Sequence, residues 1–155
     1  MSYGPGRGPG PSPLADAALS DLLAVHRMGV LALTTAAGTP HLSTVAQHWD
    51  PAERVVRIST TADRLKVRLA RRRPIGALHV STPDFLAFAV AEGTAELSPV
   101  SEVPGDAAGR ELLSLDGPYE RAEDEEAFLK QMVADRRLVL RLRVTRLYGT
   151  ALAVS

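Results

Sequence analysis

Val55-Val56-Arg57-Ile58-Ser59-Thr60-Thr61-Ala62-Asp63-Arg64-Leu65-Lys66 passes from an apolar β-type run into the start of a helix. Three hydroxyls and then two cations stand at that strand-to-helix junction. The free N–H groups of a helix start favour anions, and Ser/Thr donors with Arg/Lys charges add charge-assisted hydrogen bonds. The segment reads as a phosphate seat. A second reading also fits: Thr61 or Asp63 caps the helix, and Arg64 and Lys66 are solvated charges. The helix runs over 63–73 with Leu65 and Leu69 on one face. It is strongly basic through Arg64, Lys66, Arg68, Arg71, Arg72 and Arg73, and Pro74 stops it.

Upstream of this junction, residues 16–27 carry a helical stripe of Leu19, Leu22, Leu23 and Val25, broken at Gly29. Met28–Thr35 and His41–Trp49 are β-type runs separated by the turn Ala36-Ala37-Gly38-Thr39-Pro40. With Arg54–Ser59 they predict an antiparallel meander. Downstream, Ile75–Ser81 and Phe85–Leu97 are strands, with Gly93 at a bulge or bend. A short helix lies around Gly109–Leu115. Residues 121–136 form a helix with acids first and bases last, matching its dipole. Leu138–Thr145 alternates regularly, and 147–154 extend or follow it. Many antiparallel strands with few helices predict an α+β protein built on a small barrel. The strands do not alternate strictly with helices, and there is no GxGxxG fingerprint, so a doubly wound sheet is not expected.

The chain has 155 residues, enough for one domain with a real core. Residues 1–13 (MSYGPGRGPGPSP) read as a flexible Gly/Pro tail and 14–155 as a single domain. Eighteen basic and eighteen acidic residues cancel, unlike the basic balance of a general nucleic-acid or membrane binder. With no cysteine, disulfides, thiolate metal sites and Cys nucleophiles are excluded. His26, His41, His48 and His79 lack metal-ligand spacing, so no metal is expected. Ser43 and Ser59 lack a nucleophile-elbow context. No run approaches the roughly 18 apolar residues of a membrane span, and no signal-peptide core is present, which makes the cytoplasm the default location.

Several ordered pieces carry a resemblance: MGVLALTT, GTPHLSTVAQHWD, VVRIST, TADRLKVRLARRRPIGALHV, AFAVAEGTAEL and DRRLVLRLRVTRLYGTAL. Together, over roughly residues 17–152, they resemble the pyridoxamine 5′-phosphate oxidase-like split β-barrel flavoproteins. Within these they look most like the actinobacterial coenzyme F-420 (deazaflavin)-dependent reductases. The resemblance implies a six-stranded antiparallel split barrel with a few flanking helices. It implies an oxidoreductase that passes a hydride from reduced coenzyme F-420 to a small organic acceptor with a C=C, C=O or C=N bond. It also implies a homodimer with cofactor sites at the interface.

Position by position, the family's phosphate-binding cations match Arg64 and Lys66, and the preceding hydroxyls match Ser59, Thr60 and Thr61. Its second strand lines the ring. That strand is His41–Trp49, with Ser43, Val45 and Gln47 on one face and Thr44, Ala46 and His48 on the other. Ser43, Val45 and Gln47 offer the better mix of donors and apolar surface for a flat heterocycle. Arg141, Arg143 and Tyr148 are candidates to complete the site from a partner subunit, although the two arginines also read as salt-bridge residues. No catalytic residue is assigned; His48 and Tyr148 are the available donors. FMN is the alternative cofactor, because it shares the ribityl phosphate. The Arg68–Arg73 cations favour the deazaflavin, which has an additional acidic tail. A non-catalytic flavin- or tetrapyrrole-binding role is the third reading, since fold does not fix function.

Overall fold

The computed structural model describes residues 10–152. In chain order the elements are β1 (Ser12–Pro13), α1 (Asp16–Val25), β2 (Met28–Thr34), β3 (Pro40–Ala46), β4 (His48–Asp50) and β5 (Val55–Thr61). There follow α2 (Leu65–Arg72), β6 (Ile75–Ser81), β7 (Phe88–Leu97), α3 (Ala107–Asp116), α4 (Ala122–Ala134), β8 (Arg137–Tyr148) and β9 (Thr150–Ala151). The fold is α+β, as expected.

Seven strands form one antiparallel sheet in the order β3-β2-β6-β7-β8-β5-β4. Its two outer members, β3 and β4, are consecutive pieces of chain separated only by Gln47. The expected six-stranded barrel therefore has a seventh strand because His41–Trp49 breaks in two. The first piece pairs with β2 (Val45 opposite Gly29) and the second with β5 (Trp49 opposite Val56). The sheet curls until its two edges meet across one residue, which removes most of the open edge a flat sheet would expose.

The barrel interior follows from period-two alternation. Leu31 and Leu33 of β2, Val56 and Ile58 of β5, Leu78 and Val80 of β6, and Leu140 and Leu142 of β8 are all buried in one cluster. Leu19 and Leu23 of α1, and Leu69 and Ala70 of α2, join the same cluster. A second, smaller cluster lies outside the barrel, where Leu112 of α3 and Met132 of α4 pack on Val139 with Phe128 beside them. Val139 is thus buried although it alternates with the interior residues of its own strand.

At Gly93 the β7–β8 register slips: Glu92 pairs with Arg146 but Gly93 pairs with Val144. This is the expected bulge, and a Cβ at Gly93 would collide with the Arg143 carbonyl. The chain's first segment departs from expectation. Residues 1–9 of the expected flexible tail lie outside the described residues, but Ser12–Pro13 pair with Thr150–Ala151. Leu14 packs against the core and donates its N–H to the Gly149 carbonyl at 3.0 Å, which draws the residues before it alongside the end of the chain.

Candidate cofactor site

Strand β5 sends alternate side chains to opposite faces. Val56, Ile58 and Thr60 are buried, while Arg57, Ser59 and Thr61 are half-buried on the outer face. Of the three expected hydroxyls, Thr60 is therefore turned inward, opposite Leu138, and Ser59 and Thr61 stand together outside. The Thr61 hydroxyl donates to Asp63 Oδ1 at 2.6 Å, and Ser59 Oγ accepts from Arg137 Nη1 at 3.1 Å. Neither Thr61 nor Asp63 caps α2. The N-cap residue is Arg64, with extended backbone and no side-chain cap. The capping reading of this segment is thereby excluded, and the N-terminal end of α2 lies open beside Arg64 and Lys66.

Charge is sharply divided over the molecule. On the outer face of β5, β7 and β8 the arginines are consumed by carboxylates: Arg57 by Asp50 and Glu111, Arg141 by Glu96 and Glu111, Arg143 by Glu96. Arg141 and Arg143 thus behave as the salt-bridge residues their sequence context allowed. By contrast, no ion pair among the described residues involves Arg64, Lys66, Arg68, Arg71, Arg72, Arg73 or Arg136. Arg136 belongs to this group in space, because its carbonyl accepts the Ala62 N–H at 3.0 Å. Burial, and then the charge of Arg64, hold the Lys66 ammonium below its ordinary value. The Asp63 carboxyl is held low by its Thr61 bond, with Arg64 and Arg136 nearby.

Two concavities lie on the outside of the barrel, and of these unpaired cations only Arg136 lines one of them. One, of about 290 Å³, is lined by Thr61, Asp63, Ala134, Asp135 and Arg136. The other, of about 340 Å³, is lined by Ala46, His48 and Ser59 from the sheet, Arg137, and Leu112, Leu115, Phe128 and Met132 from α3 and α4. Asp135 lines both, so they abut. Asp116, also in the larger groove, accepts the Tyr119 hydroxyl and pushes its pKa up to about 12.

Of the residues expected to line the ring, Val45 and Gln47 turn into the barrel. Val45 is buried in the barrel cluster, and Gln47 is wholly buried, its amide donating to the carbonyls of Leu23 (2.7 Å) and His26 (2.8 Å). Ser43 is half-buried with a buried hydroxyl that has no partner. Ala46 and His48 are the residues of this stretch that reach the groove. Tyr148 pairs with Val90, eleven residues along β8 from Arg137, or roughly 36 Å of strand, so it does not meet the groove of its own protomer. Asp135, Arg136 and Arg137, which read as a helix end, were not anticipated. The register that sets Arg137 opposite Thr61 brings them to the site.

No protein-family profile matches the chain. Solved structures do. A conserved hypothetical protein from Mycobacterium tuberculosis superposes with a TM-score of 0.68 at 24% identity, over 89% of this chain and 85% of that one. An F420 reductase gives 0.58 at 27% identity, over 83% and 94%. A FAD-binding protein from Mesorhizobium loti gives 0.65 at 16% identity, over 95% and 100%. With its edges joined through Gln47 and helices on its flanks, the chain carries the split β-barrel fold of the pyridoxamine 5′-phosphate oxidase-like proteins.

Proposed function

We propose that the protein is an oxidoreductase that uses reduced coenzyme F-420 to deliver a hydride to a small organic acceptor. One observation carries this reading: cations without carboxylate partners among the described residues begin at a helix start that has no side-chain cap, and Thr61, Asp63 and Arg136 beside it line a concavity on the outside of the barrel. Unpaired cations at a helix N-terminus suit a phosphate. Arg64, Lys66, Thr61 and Ser59, with Arg136 beside them, are the residues that would hold it. The unpaired charges continue to Arg71, Arg72 and Arg73, which suits a ligand whose acidic groups extend beyond the phosphate. That extension favours the deazaflavin over FMN.

When bound, the reduced deazaflavin supplies the hydride. The chain's own residues do the rest. Leu112, Leu115, Phe128 and Met132 provide an apolar wall that excludes water from the groove, and Ser59 and His48 provide its polar edge. The reading includes a homodimer. Leu42 and Ile75 are exposed apolar side chains on strands β3 and β6, either side of the C-terminal half of β2, a surface suited to a second copy.

The test is titration of the purified protein with coenzyme F-420 and, separately, FMN, followed by calorimetry and the fluorescence of Trp49. Tight deazaflavin binding that is lost in the folded Arg64→Ala/Lys66→Ala double variant is the expected result. Unchanged affinity in that variant removes the phosphate seat. Preference for FMN moves the protein to the flavin-dependent side of the fold, and binding without turnover of any acceptor leaves a cofactor carrier.

A further inference from the structure

Residues 102–136 carry α3 and α4, and they leave the barrel and return to it at one place. The Ser101 N–H donates to the Arg137 carbonyl at 2.8 Å, which joins the two ends of the excursion. On the entry side the Ser98 N–H donates to the Val139 carbonyl at 2.9 Å, and on the return side the Ala62 N–H donates to the Arg136 carbonyl at 3.0 Å. Asp106 also accepts the Ser101 hydroxyl at 2.9 Å, and Asp135 pairs with Arg137. Between these ends, Glu111 is the one residue that hydrogen-bonds to the barrel among the described residues, and its carboxylate takes Arg141 and Arg57. The hairpin is also tied to itself. Arg110 pairs with Glu125 at 3.3 Å across the two helices, and Tyr119 donates to Asp116 and sets its ring 5.5 Å from that of Phe128.

We propose that residues 102–136 are a hinged cover on the groove, latched by Glu111, and that a ligand enters and leaves when this unit swings off the barrel. The inference concerns access to the groove and goes beyond the oxidoreductase reading, because it holds whatever the groove takes. Moving the hairpin opens the groove, since one wall is the hairpin itself. Leu112 and Leu115 come from α3, and Phe128 and Met132 from α4, while Ala46, His48 and Ser59 belong to the sheet. The apolar footing is small. Leu112 and Met132, with Phe128 beside them, rest on Val139, and no residue of 102–136 belongs to the barrel's main cluster. Few buried apolar contacts mark the segments that open below the energy of global unfolding.

The latch releases without stranding charge. When Glu111 leaves, Arg57 keeps Asp50 at 3.2 Å and Arg141 keeps Glu96 at 2.9 Å. The freed carboxylate passes into water. Breaking an ion pair away from solvent is costly chiefly when it leaves the other charge alone, and here neither arginine is left alone. A hinge needs only a few element-terminal residues to absorb the change in φ and ψ. The two ends of the excursion meet at Ser101 and Arg137, which places the hinge there.

Two measurements on the purified full chain test this. In hydrogen exchange, amides of α3 and α4 should exchange together through one opening, faster than those of β6 and β7 and with a smaller urea dependence, since less surface is exposed. Glu111→Gln should raise exchange in both helices by the same factor, about 10- to 100-fold, the range for losing hydrogen bonds to a charged group. Helix α4 decides, because no Glu111 bond reaches it. Peroxide oxidation of methionine reads the groove wall itself. Met28 is 59% exposed and Met132 only 7%, so sulfoxide should form first at Met28 and reach Met132 through opening. In Glu111→Gln the Met132 rate should rise by the factor seen in exchange, with Met28 unchanged. The proposal is overturned if α3 and α4 open independently or only with the barrel, if the variant's response stays within α3, or if its Met132 rate equals the parent's. The parent's exchange pattern decides the matter even where the variant fails to fold.

Discussion

The Gln47 side-chain amide donates to the Leu23 carbonyl at 2.7 Å, joining the residue where the strand breaks to the last turn of α1. The same nitrogen reaches the His26 carbonyl at 2.8 Å, and the Gln47 backbone N–H donates to the Arg27 carbonyl at 2.7 Å. Helix ends leave carbonyls without partners, and here a strand residue supplies partners from inside the barrel. Barrel closure and helix docking are therefore one event. Gln47→Ala removes both side-chain bonds and leaves a cavity, and is expected to cost about 2–4 kcal/mol in urea unfolding. Cofactor affinity of the folded variant should match the parent, because the side chain is wholly buried and its Nε2 donates inside the barrel. A folded variant with full stability but no cofactor binding would return Gln47 to the ring site.

Glu111 gives the acid response of the α3 contact. It accepts from Arg141 Nε at 2.7 Å and Arg57 Nε at 3.0 Å, tying α3 to β8 and β5. The Arg141 bond chiefly, then Arg57, hold its carboxyl below the ordinary range against the opposing effect of burial. A folded-state pKa below the unfolded one means the stabilisation is complete above the unfolded value of about 4.3 and is lost as pH falls through the folded value. Urea midpoints measured from pH 7 to pH 3 should fall more steeply for the parent than for Glu111→Gln. At pH 7 the variant should lose about 1–3 kcal/mol. Parallel curves would show that the ion pairs do not carry the acid sensitivity.

The strands of this fold were legible because period-two patterns survive in Met28–Thr34, Ile75–Ser81 and Leu138–Thr145. What the pattern lacks is the neighbour. His41–Trp49 reads as one β-type run, so nothing local marks Gln47 as the place where the strand changes partners. The inward turn of Gln47 was not legible for a related reason. Gln47 looked like a ligand donor because its own acceptors lie 24 and 21 residues away, in a helix whose docking only the closed barrel defines. The cationic segment was readable since strand, hydroxyls and basic helix are contiguous. The rest of the groove was not, because Asp135, Arg136 and Arg137 reach it through a strand pairing that spans 76 residues, from Thr61 to Arg137.

Gly93 should be nearly irreplaceable. Its α-carbon faces the Arg143 backbone at the bulge, and a methyl group there meets a carbonyl that cannot rotate away. Gly93→Ala is expected to destabilise by about 1–3 kcal/mol, the usual cost of overpacking. Thr94→Ala, at an exposed neighbour, should change stability little. Equal thermal midpoints for the two variants would mean that the bulge relaxes freely.

The cations at the far end of α2 separate the two cofactors. Arg71 and Arg72 lie in the last turn and Arg73 at the cap, where basic side chains also favour the helix dipole. If they serve only the helix, neutralising them lowers stability slightly and affects both ligands alike. If they meet an acidic tail, Arg71→Gln/Arg72→Gln/Arg73→Gln weakens coenzyme F-420 about tenfold, a loss of about 1.4 kcal/mol shared by three exposed charges, and leaves FMN unchanged. Calorimetry at low and high salt checks this from a second side. The deazaflavin affinity of the parent should fall with ionic strength more steeply than that of the triple variant, since exposed charges are screened within about 10 Å at 0.1 M salt. Identical salt slopes would show that the tail does not reach Arg71–Arg73, and the preference for the deazaflavin would then have to come from the ring.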